Sequence, residues 1–183
     1  VRKYKGRYDG EISFLDRQLD RLFKYMDKNG VLNKTLVIIT ADHGESFGEN
    51  GFYFNHGYSC GPDQIRVPLA FIGPGIKSAV IDDVAVSSMD IYSTVLDLLG
   101  IPVSDRQNCH SRSLVSLMMN GLNGDAKPVF FESRSQRGIA VGNHFYYRDR
   151  TRLPKNSYFI DPKKQTEKSK GKGFIRLGEQ YYN

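Results

Sequence analysis

The 183-residue sequence predicts an α/β fold, a partial doubly wound sheet with helices, followed by a small antiparallel β subdomain. Apolar residues at helical spacing between 8 and 26 precede a continuous apolar run at 35–40. A second apolar run and a second helical pattern follow between 67 and 102. Beyond residue 125 the segments become short, aromatic or β-branched, and turn residues separate them, which is typical of an antiparallel sheet.

The first helix is predicted from Tyr8 to Met26, where apolar residues occupy one face and charged residues the other. The Asn-Gly pair at 29–30 supplies its stop signal. The segment "TLVIIT" at 35–40 is apolar throughout and rich in β-branched residues. This pattern predicts a strand that is covered on both faces, as in a parallel sheet.

A second strand is predicted in "VPLAFIG", residues 67–73, before a Pro-Gly turn. The segment "SSMDIYSTVLDLLGIP" then predicts a helix that Ser87 or Ser88 caps and Gly100 ends. One more short helix is expected in "SLVSLMMNG".

The change of pattern near residue 125 predicts two parts, an α/β part at 1–125 and a β subdomain at 126–183. Gly142 and Asn143 are expected to form the turn between two strands of the subdomain. The predicted strand segments are "PVFFES", "GIAVGNHFYYR", "SYFID" and "FIRL".

The net charge of +6 arises partly from the lysine-rich segment "DPKKQTEKSKGKG", which we expect to be a solvated loop. No nucleic-acid-binding motif accompanies it, and no apolar run reaches the length of a membrane span, so neither partner is expected. The first residues do not resemble a signal peptide, and the chain is expected to begin inside a longer protein or to lack its targeting segment. Cys60 and Cys109 form no metal-type pair, and the sequence leaves them free or bridged.

Ionisable residues are concentrated directly after the first predicted strand, in "TADHGESFGENGFYFNHGY". Asp42 and His43 offer a carboxylate oxygen and an imidazole nitrogen, ligands suited to a divalent cation. Two ligands hold a catalytic ion poorly, so others must come from elsewhere. His56 lies in the same long glycine-rich loop and can fold back toward the ion or its anion. The alternative is structural: Asp42 caps a turn and His43 packs nearby.

Residues 8–102 resemble the C-terminal half of the sulfatase family, within the alkaline phosphatase superfamily. The resemblance rests on "YDGEISFLDRQLDRLFKYMDKNGVLNKTLVIITADHGESFGENG", "IRVPLAFIGPG" and "SSMDIYSTVLDLLGIP", in that order. It implies that Asp42 and His43 bind the metal ion, with Ca²⁺ expected first and Mg²⁺, Mn²⁺ or Zn²⁺ as alternatives. It also implies that His56 is catalytic, contacting the sulfuryl or phosphoryl oxygens or protonating the leaving oxygen.

The nucleophile of the family is usually a formylglycine made from the cysteine of "CxPxR", and alternatively a serine or threonine; the half of the family sequence that carries it has no counterpart in these residues. Cys60 begins "CGPDQIR", but Gln64 stands where the arginine belongs, and the segment follows the metal pair instead of preceding it. The isolated chain is therefore expected to bind metal weakly and to be inactive. A sheet cut in half also exposes apolar surface, so self-association of the fragment is expected.

The resemblance implies a metal-dependent sulfuric ester hydrolase acting on a small-molecule or carbohydrate sulfate ester. The alternatives are a phosphoesterase, or a phosphoethanolamine or phosphoglycerol transferase, of the same superfamily, and a non-catalytic binding module. Glu45 and Glu49 are expected to be solvated, with a role behind the site as the alternative, and His110 and His144 to lie outside it. The residues define no compartment, although the resemblance suggests an exported or periplasmic protein.

Overall fold

The structure is a computed structural model that describes residues 1–82, 84–102, 110–120, 127–142 and 144–149, with the strand backbones 157–161, 164–168 and 175–176. The chain divides into two compact units, Val1–Ile76 and Lys77–Asn183. Residues 121–126 lie outside the described part, so the division into 1–125 and 126–183 stays a prediction. None of the described helices is both long and apolar enough to cross a membrane.

The first unit contains two α-helices and four short strands, with single 3₁₀ turns at Leu32–Lys34 and Glu49–Gly51. In chain order these elements are α1 (Arg2–Lys28), β1 (Val37–Thr40), β2 (Ser46–Phe47), β3 (Tyr53–Asn55), α2 (Pro62–Ile65) and β4 (Leu69–Ile72).

Helix α1 begins six residues before the predicted start, because the residues ahead of Tyr8 include lysine and arginine, which are good helix formers. It ends where the Asn-Gly pair predicted: Gly30 has a φ of +64°, and its N–H donates to the carbonyl of Asp27 at 2.9 Å. No side chain of α1 is buried within this unit. The helix therefore meets its neighbours through only part of its surface.

The first turns of α1 contact the β2–β3 hairpin. The Tyr4 ring stacks on Phe54 with centroids 3.9 Å apart, and Tyr8 packs edge-on against Phe47 at 5.2 Å. Lys5 forms an exposed ion pair with Glu49 at 3.7 Å. The aromatic contacts thus hold the β2–β3 hairpin against α1, since a surface ion pair contributes little stability.

Strands β1 and β4 pair antiparallel, with Val37 opposite Ile72 and Thr40 opposite Leu69. Both lie within the predicted runs, but the arrangement is not the parallel one that we expected for the first of them. Residues of β1 are half-buried up to Ile39, and Thr40 is exposed. A continuous apolar run indicates a strand, but it cannot report strand direction or how many layers cover it.

The interior of the first unit is largely polar and lies among its loops. Ser46 is fully buried; its hydroxyl donates to the carboxylate of Asp63 and accepts a hydrogen bond from Gln64 Nε2 at 2.6 Å. Burial raises the pKa of the Asp63 carboxyl above 3.8, and the Ser46 hydrogen bond opposes this only in part.

Within its described residues, the second unit contains two helices and six strands. In chain order these are α3 (Asp90–Leu98), α4 (Val115–Asn120), β5 (Val129–Glu132), β6 (Gln136–Val141), β7 (His144–Asp149), β8 (Ser157–Asp161), β9 (Lys164–Lys168) and β10 (Ile175–Arg176).

The start of α3 is fixed by a buried carboxylate. Asp90 accepts hydrogen bonds from the N–H groups of Ser87 and Arg112, each at 2.9 Å. The predicted cap residue Ser87 uses its hydroxyl more weakly, accepting the N–H of Met89 at 3.3 Å. Asp90 thus satisfies one main-chain donor ahead of the helix and one in a later segment and, as an acid in the first turn, complements the helix dipole. Gly100, with a φ of +66°, ends the helix as predicted.

The six strands of the second unit form one antiparallel sheet, in the order β5-β6-β7-β8-β9 with β10 paired to β7. This confirms the antiparallel character predicted for the C-terminal part. The expectation that "DPKKQTEKSKGKG" is entirely loop was wrong, since Lys164–Lys168 forms β9 against β8. Main-chain pairing with a neighbour, which lysine side chains do not prevent, determines this strand.

The described core of the sheet is aromatic. Phe145 and Tyr147 on β7 are buried, and Phe131 on β5 stacks on Phe145 with centroids 4.7 Å apart and planes 10° from parallel. Gly138 on β6 lies beneath the Phe131 ring. A Cβ added there would overlap ring carbons of Phe131 and come within 2.5 Å of the Tyr146 carbonyl oxygen.

We predict that Gly138→Ala lowers the free energy of unfolding by about 1–3 kcal/mol, because the added methyl group overpacks the sheet. Urea denaturation measures this change. Gly10→Ala is the matched control: nothing lies within 4 Å of a Cβ at that exposed helical position. It should be neutral or stabilising. Equal stability of Gly138→Ala and the parent protein would contradict the described packing.

We also predict that Asp63→Asn changes how stability depends on pH. Because the folded-state pKa of Asp63 is raised above 3.8, the folded protein binds the proton more tightly than the unfolded chain. Its contribution to stability therefore falls as pH rises from 3.8 through the folded pKa and is constant above. Asparagine keeps an acceptor for Ser46 and has no such loss.

Urea unfolding between about pH 4 and 7 measures this difference in slope. Asp20→Asn, which alters an exposed carboxylate paired with Lys24, is the control and should leave the slope unchanged. A parental slope in Asp63→Asn would show that burial does not perturb this carboxyl group.

Candidate active site

Asp42 and His43 follow the exposed end of β1, and their side chains converge. Asp42 Oδ1 accepts the main-chain N–H of His43 at 2.9 Å, and Oδ2 lies 3.6 Å from His43 Nε2. The side chains are 87% and 42% exposed within the chain. The structure thus brings the two predicted metal ligands together on an accessible surface.

The imidazole of His43 is fixed by its other nitrogen. Nδ1 lies 2.9 Å from the carbonyl oxygen of Gly44, which can only accept, so Nδ1 carries the proton. In the neutral ring Nε2 is then an acceptor that faces the Asp42 carboxylate. Two acceptors 3.6 Å apart repel each other unless a proton or a cation lies between them. The pair therefore fits one side of a cation site.

His56 lies directly over His43. The two rings stack with centroids 4.0 Å apart and planes 23° from parallel. His56 Nδ1 lies 2.9 Å from Glu45 Oε2, so Nδ1 donates to this carboxylate and Nε2 is left for other chemistry. All three predicted site residues therefore lie in one cluster.

The pairing of β2 with β3 explains why Glu45 meets His56. Ser46 lies opposite Asn55 in this hairpin, so Glu45 and His56 are the next facing positions along it. The favoured expectation of a solvated Glu45 was wrong, because its side chain is half-buried and paired. Its other oxygen, Oε1, is buried and has no hydrogen-bond partner among the described residues.

Two glycines of this loop permit close main-chain contacts that a side chain would block. A Cβ on Gly44 would overlap the carbonyl oxygen of Asp63, and its N–H donates to the Gln64 carbonyl at 2.8 Å. Gly48 has a φ of +124°, with the Tyr53 ring 2.8 Å from a Cβ built there. The close contacts at Gly44 let the loop that carries Asp42 and His43, here called the metal-pair loop, lie directly against α2.

The cluster does not complete a set of metal ligands within the described residues. Within the residues described, no group of three or more His, Cys, Asp or Glu side chains could hold a metal ion. Glu49 is exposed, as expected. His110 and His144 are exposed residues of the second unit, and their place outside the site stays a prediction. Cys60 is fully buried, which agrees with its exclusion as a nucleophile, and Cys109 lies outside the described residues.

No motif or periodicity in the sequence marks Ser46, Asp63 and Gln64 as residues that support the site. Their hydrogen bonds join positions far apart in sequence and leave no periodic signal. The Glu45–His56 pair did have a signal, because a hairpin register over "ESFGENGFYFNH" places these two residues opposite each other.

The sequence model of the Sulfatase family matches residues 2–101 of this chain. Choline-sulfatase of Rhizobium meliloti (strain 1021) is 32% identical over 141 residues, which make up 76% of this chain and 27% of that protein. Arylsulfatase K of Danio rerio is 34% identical over 111 residues, 61% of this chain and 21% of that protein.

Solved structures share the fold. The phosphonate monoester hydrolase of Silicibacter pomeroyi superposes with a TM-score of 0.66 at 19% identity, covering 83% of this chain and 33% of that one. A protein solved with its substrate D-glucosamine-2-N,6-O-disulfate gives a TM-score of 0.58 at 21% identity, covering 78% and 31%.

The chain spans about a quarter of the length of these curated relatives and a third of these solved chains. The family match covers more than half of the present sequence and includes the whole cluster of Asp42, His43, Glu45 and His56. On this evidence the chain belongs to the sulfatase family of the alkaline phosphatase superfamily.

Proposed function

We propose that this chain supplies part of the metal and anion site of a metal-dependent sulfuric ester hydrolase. The observation that carries the proposal is the opposition of Asp42 Oδ2 and His43 Nε2 at 3.6 Å, with the His56 ring stacked 4.0 Å from His43. A cation receptor and a histidine able to exchange a proton thus lie side by side.

Asp42 and His43 would hold the ion. Ca²⁺ is the first candidate, since sulfatases generally use it; among the alternatives Mg²⁺, Mn²⁺ and Zn²⁺, the imidazole ligand suits Zn²⁺ best. When bound, the ion neutralises negative charge on the nonbridging oxygens of the ester and activates the nucleophile. The remaining ligands and the nucleophile would come from outside these residues.

His56 would act on the anion. Its Nδ1 donates to Glu45, which fixes the ring and leaves Nε2 as its reactive atom. When Nε2 also carries a proton, it can donate a hydrogen bond to an oxyanion or the proton to the leaving oxygen. Because His56 stacks on His43, this donor would lie beside an anion that the ion holds.

The substrate would be a small-molecule or carbohydrate sulfate ester. Support comes from the relatives, among them a choline-sulfatase and a protein solved with a disulfated glucosamine. The isolated chain would be inactive, because a site without its nucleophile loses most of its transition-state stabilisation.

Hydrolysis of a phosphonate or phosphate ester is the second candidate. It is favoured by the fold shared with the phosphonate monoester hydrolase, at a TM-score of 0.66. The same cation and histidine chemistry would serve either oxyanion, so activity assays must separate the two hydrolase candidates. The same assays separate them from the transferases and from a non-catalytic binding module.

Self-association of the isolated chain is also proposed, because α1 exposes a large apolar surface within its unit. The exposed apolar residues of α1 are Tyr4, Tyr8, Ile12, Phe14, Leu15, Leu22 and Tyr25.

We predict that Asp42→Asn in the full-length protein that carries these residues lowers kcat/KM for an aryl sulfate by on the order of 100-fold or more, because charge neutralisation by the ion is lost. Metal affinity, measured by isothermal titration of the metal-free protein, should weaken in parallel. Asp20→Asn, an exposed carboxylate on α1, is the matched control and should change neither quantity.

Parallel assays with an aryl sulfate, an aryl phosphate and a phosphonate monoester decide between the candidates. The proposal expects the sulfate ester to have the highest kcat/KM. Unchanged metal affinity and activity in Asp42→Asn would contradict the site. Absence of turnover of all three esters by the parent protein would favour a transferase or a binding module.

A further inference from the structure

The side chain of Gln64 is 3% exposed and joins three segments of the first unit. Its Nε2 donates to Ser46 Oγ at 2.6 Å and to the Asn55 carbonyl at 3.3 Å, and its Oε1 accepts the N–H of Ser59 at 3.2 Å. Its main-chain carbonyl accepts the N–H of Gly44 at 2.8 Å. One residue thus contacts both loops that carry the site.

These contacts lie next to the residues that would do the chemistry. Gly44 directly follows His43, and Asn55 directly precedes His56. A buried amide that loses its partners is expensive, so the fully bonded Gln64 side chain defines one arrangement of the segments around it.

We propose that Gln64 is a positioning residue that holds the His56 segment against the Asp42–His43 loop. The proposal rests on the proposed function. The main chain and the side chain of Gln64 have different roles in this proposal. The main-chain carbonyl holds the metal-pair loop through Gly44, whereas the side-chain amide holds the segment that leads into His56.

Because the two roles use different atoms, a substitution of the side chain distinguishes a positioning role from a purely structural one. Gln64→Leu keeps the main-chain bond to Gly44 but loses the side-chain bonds to Ser46, Asn55 and Ser59. A positioning role therefore predicts loss of the His56 contribution to catalysis while metal affinity is retained. A purely structural role predicts only lower stability.

The experiment is a double-mutant cycle in the full-length protein, with turnover of an aryl sulfate as the readout. Gln64→Leu should lower kcat by about 10-fold or more and change the metal dissociation constant by less than about 3-fold. His56→Ala should lower kcat less in the Gln64→Leu variant than in the parent protein, by a factor of at least about 5, because the two residues act as one unit.

Gln136→Leu is the matched control, since Gln136 is 4% exposed and donates from Nε2 to Asp149 Oδ1 at 2.9 Å in the second unit. It should be destabilised as Gln64→Leu is, yet keep parental kcat, and its effect should add to that of His56→Ala. If Gln64→Leu unfolds, Gln64→Glu retains the acceptor for Ser59, lacks the two donors and should show the same coupling.

Amide hydrogen exchange gives a second readout that does not depend on activity. Gln64→Leu should raise exchange at the Ser59 amide, and Gln136→Leu should not. Additive effects of Gln64→Leu and His56→Ala, or unchanged exchange at Ser59, would overturn the proposal. If the parent protein hydrolyses no sulfate ester, the proposed function fails. Exchange at the Ser59 amide alone then supports or overturns the hydrogen-bonding role of the Gln64 side chain.

Discussion

The hydrogen bond between His43 Nδ1 and the Gly44 carbonyl, at 2.9 Å, determines what the rest of the cluster can do. It fixes which ring nitrogen carries the proton and turns Nε2 toward the Asp42 carboxylate. Gly44 can present its carbonyl in this way because its own main chain lies directly against α2, where a side chain would overlap Asp63. In the proposed site, this local geometry would let an adjacent carboxylate and imidazole bind a cation.

The β2–β3 hairpin brings His56 next to Asp42 and His43. The hairpin places Glu45 opposite His56, and Phe54, in the left-handed region with a φ of +52°, bends the chain just before it. Contacts from α1 cover the turn, and the buried network around Ser46 and Gln64 supports it from within. Residues 42–56 thus form one local assembly, which explains how so much ionisable chemistry fits after a single strand.

The sequence predicted what depends on local pattern. Helical spacing and stop signals placed α1 and α3, and turn residues separated the strands of the second unit. Direction and burial of β1 were not predictable, because they depend on which elements lie beside it. Strand β9 was missed because its pairing with β8 overrides a composition typical of loops.

The same distinction holds within the site. Asp42, His43 and His56 were predicted to cluster because strand exits and glycine-rich loops gather functional groups. The partnership of Glu45 with His56 depends on hairpin register, and the burial of Gln64 depends on packing between loops. Hydrogen bonds of this kind join residues through geometry that composition and periodicity do not encode.

Anomalous X-ray diffraction from crystals of the full-length protein grown with its metal tests the central claim most directly. We expect an ion within about 2.0–2.6 Å of both Asp42 Oδ2 and His43 Nε2. An anomalous peak ligated by other residues, with Asp42 and His43 both outside bonding distance, would contradict the account.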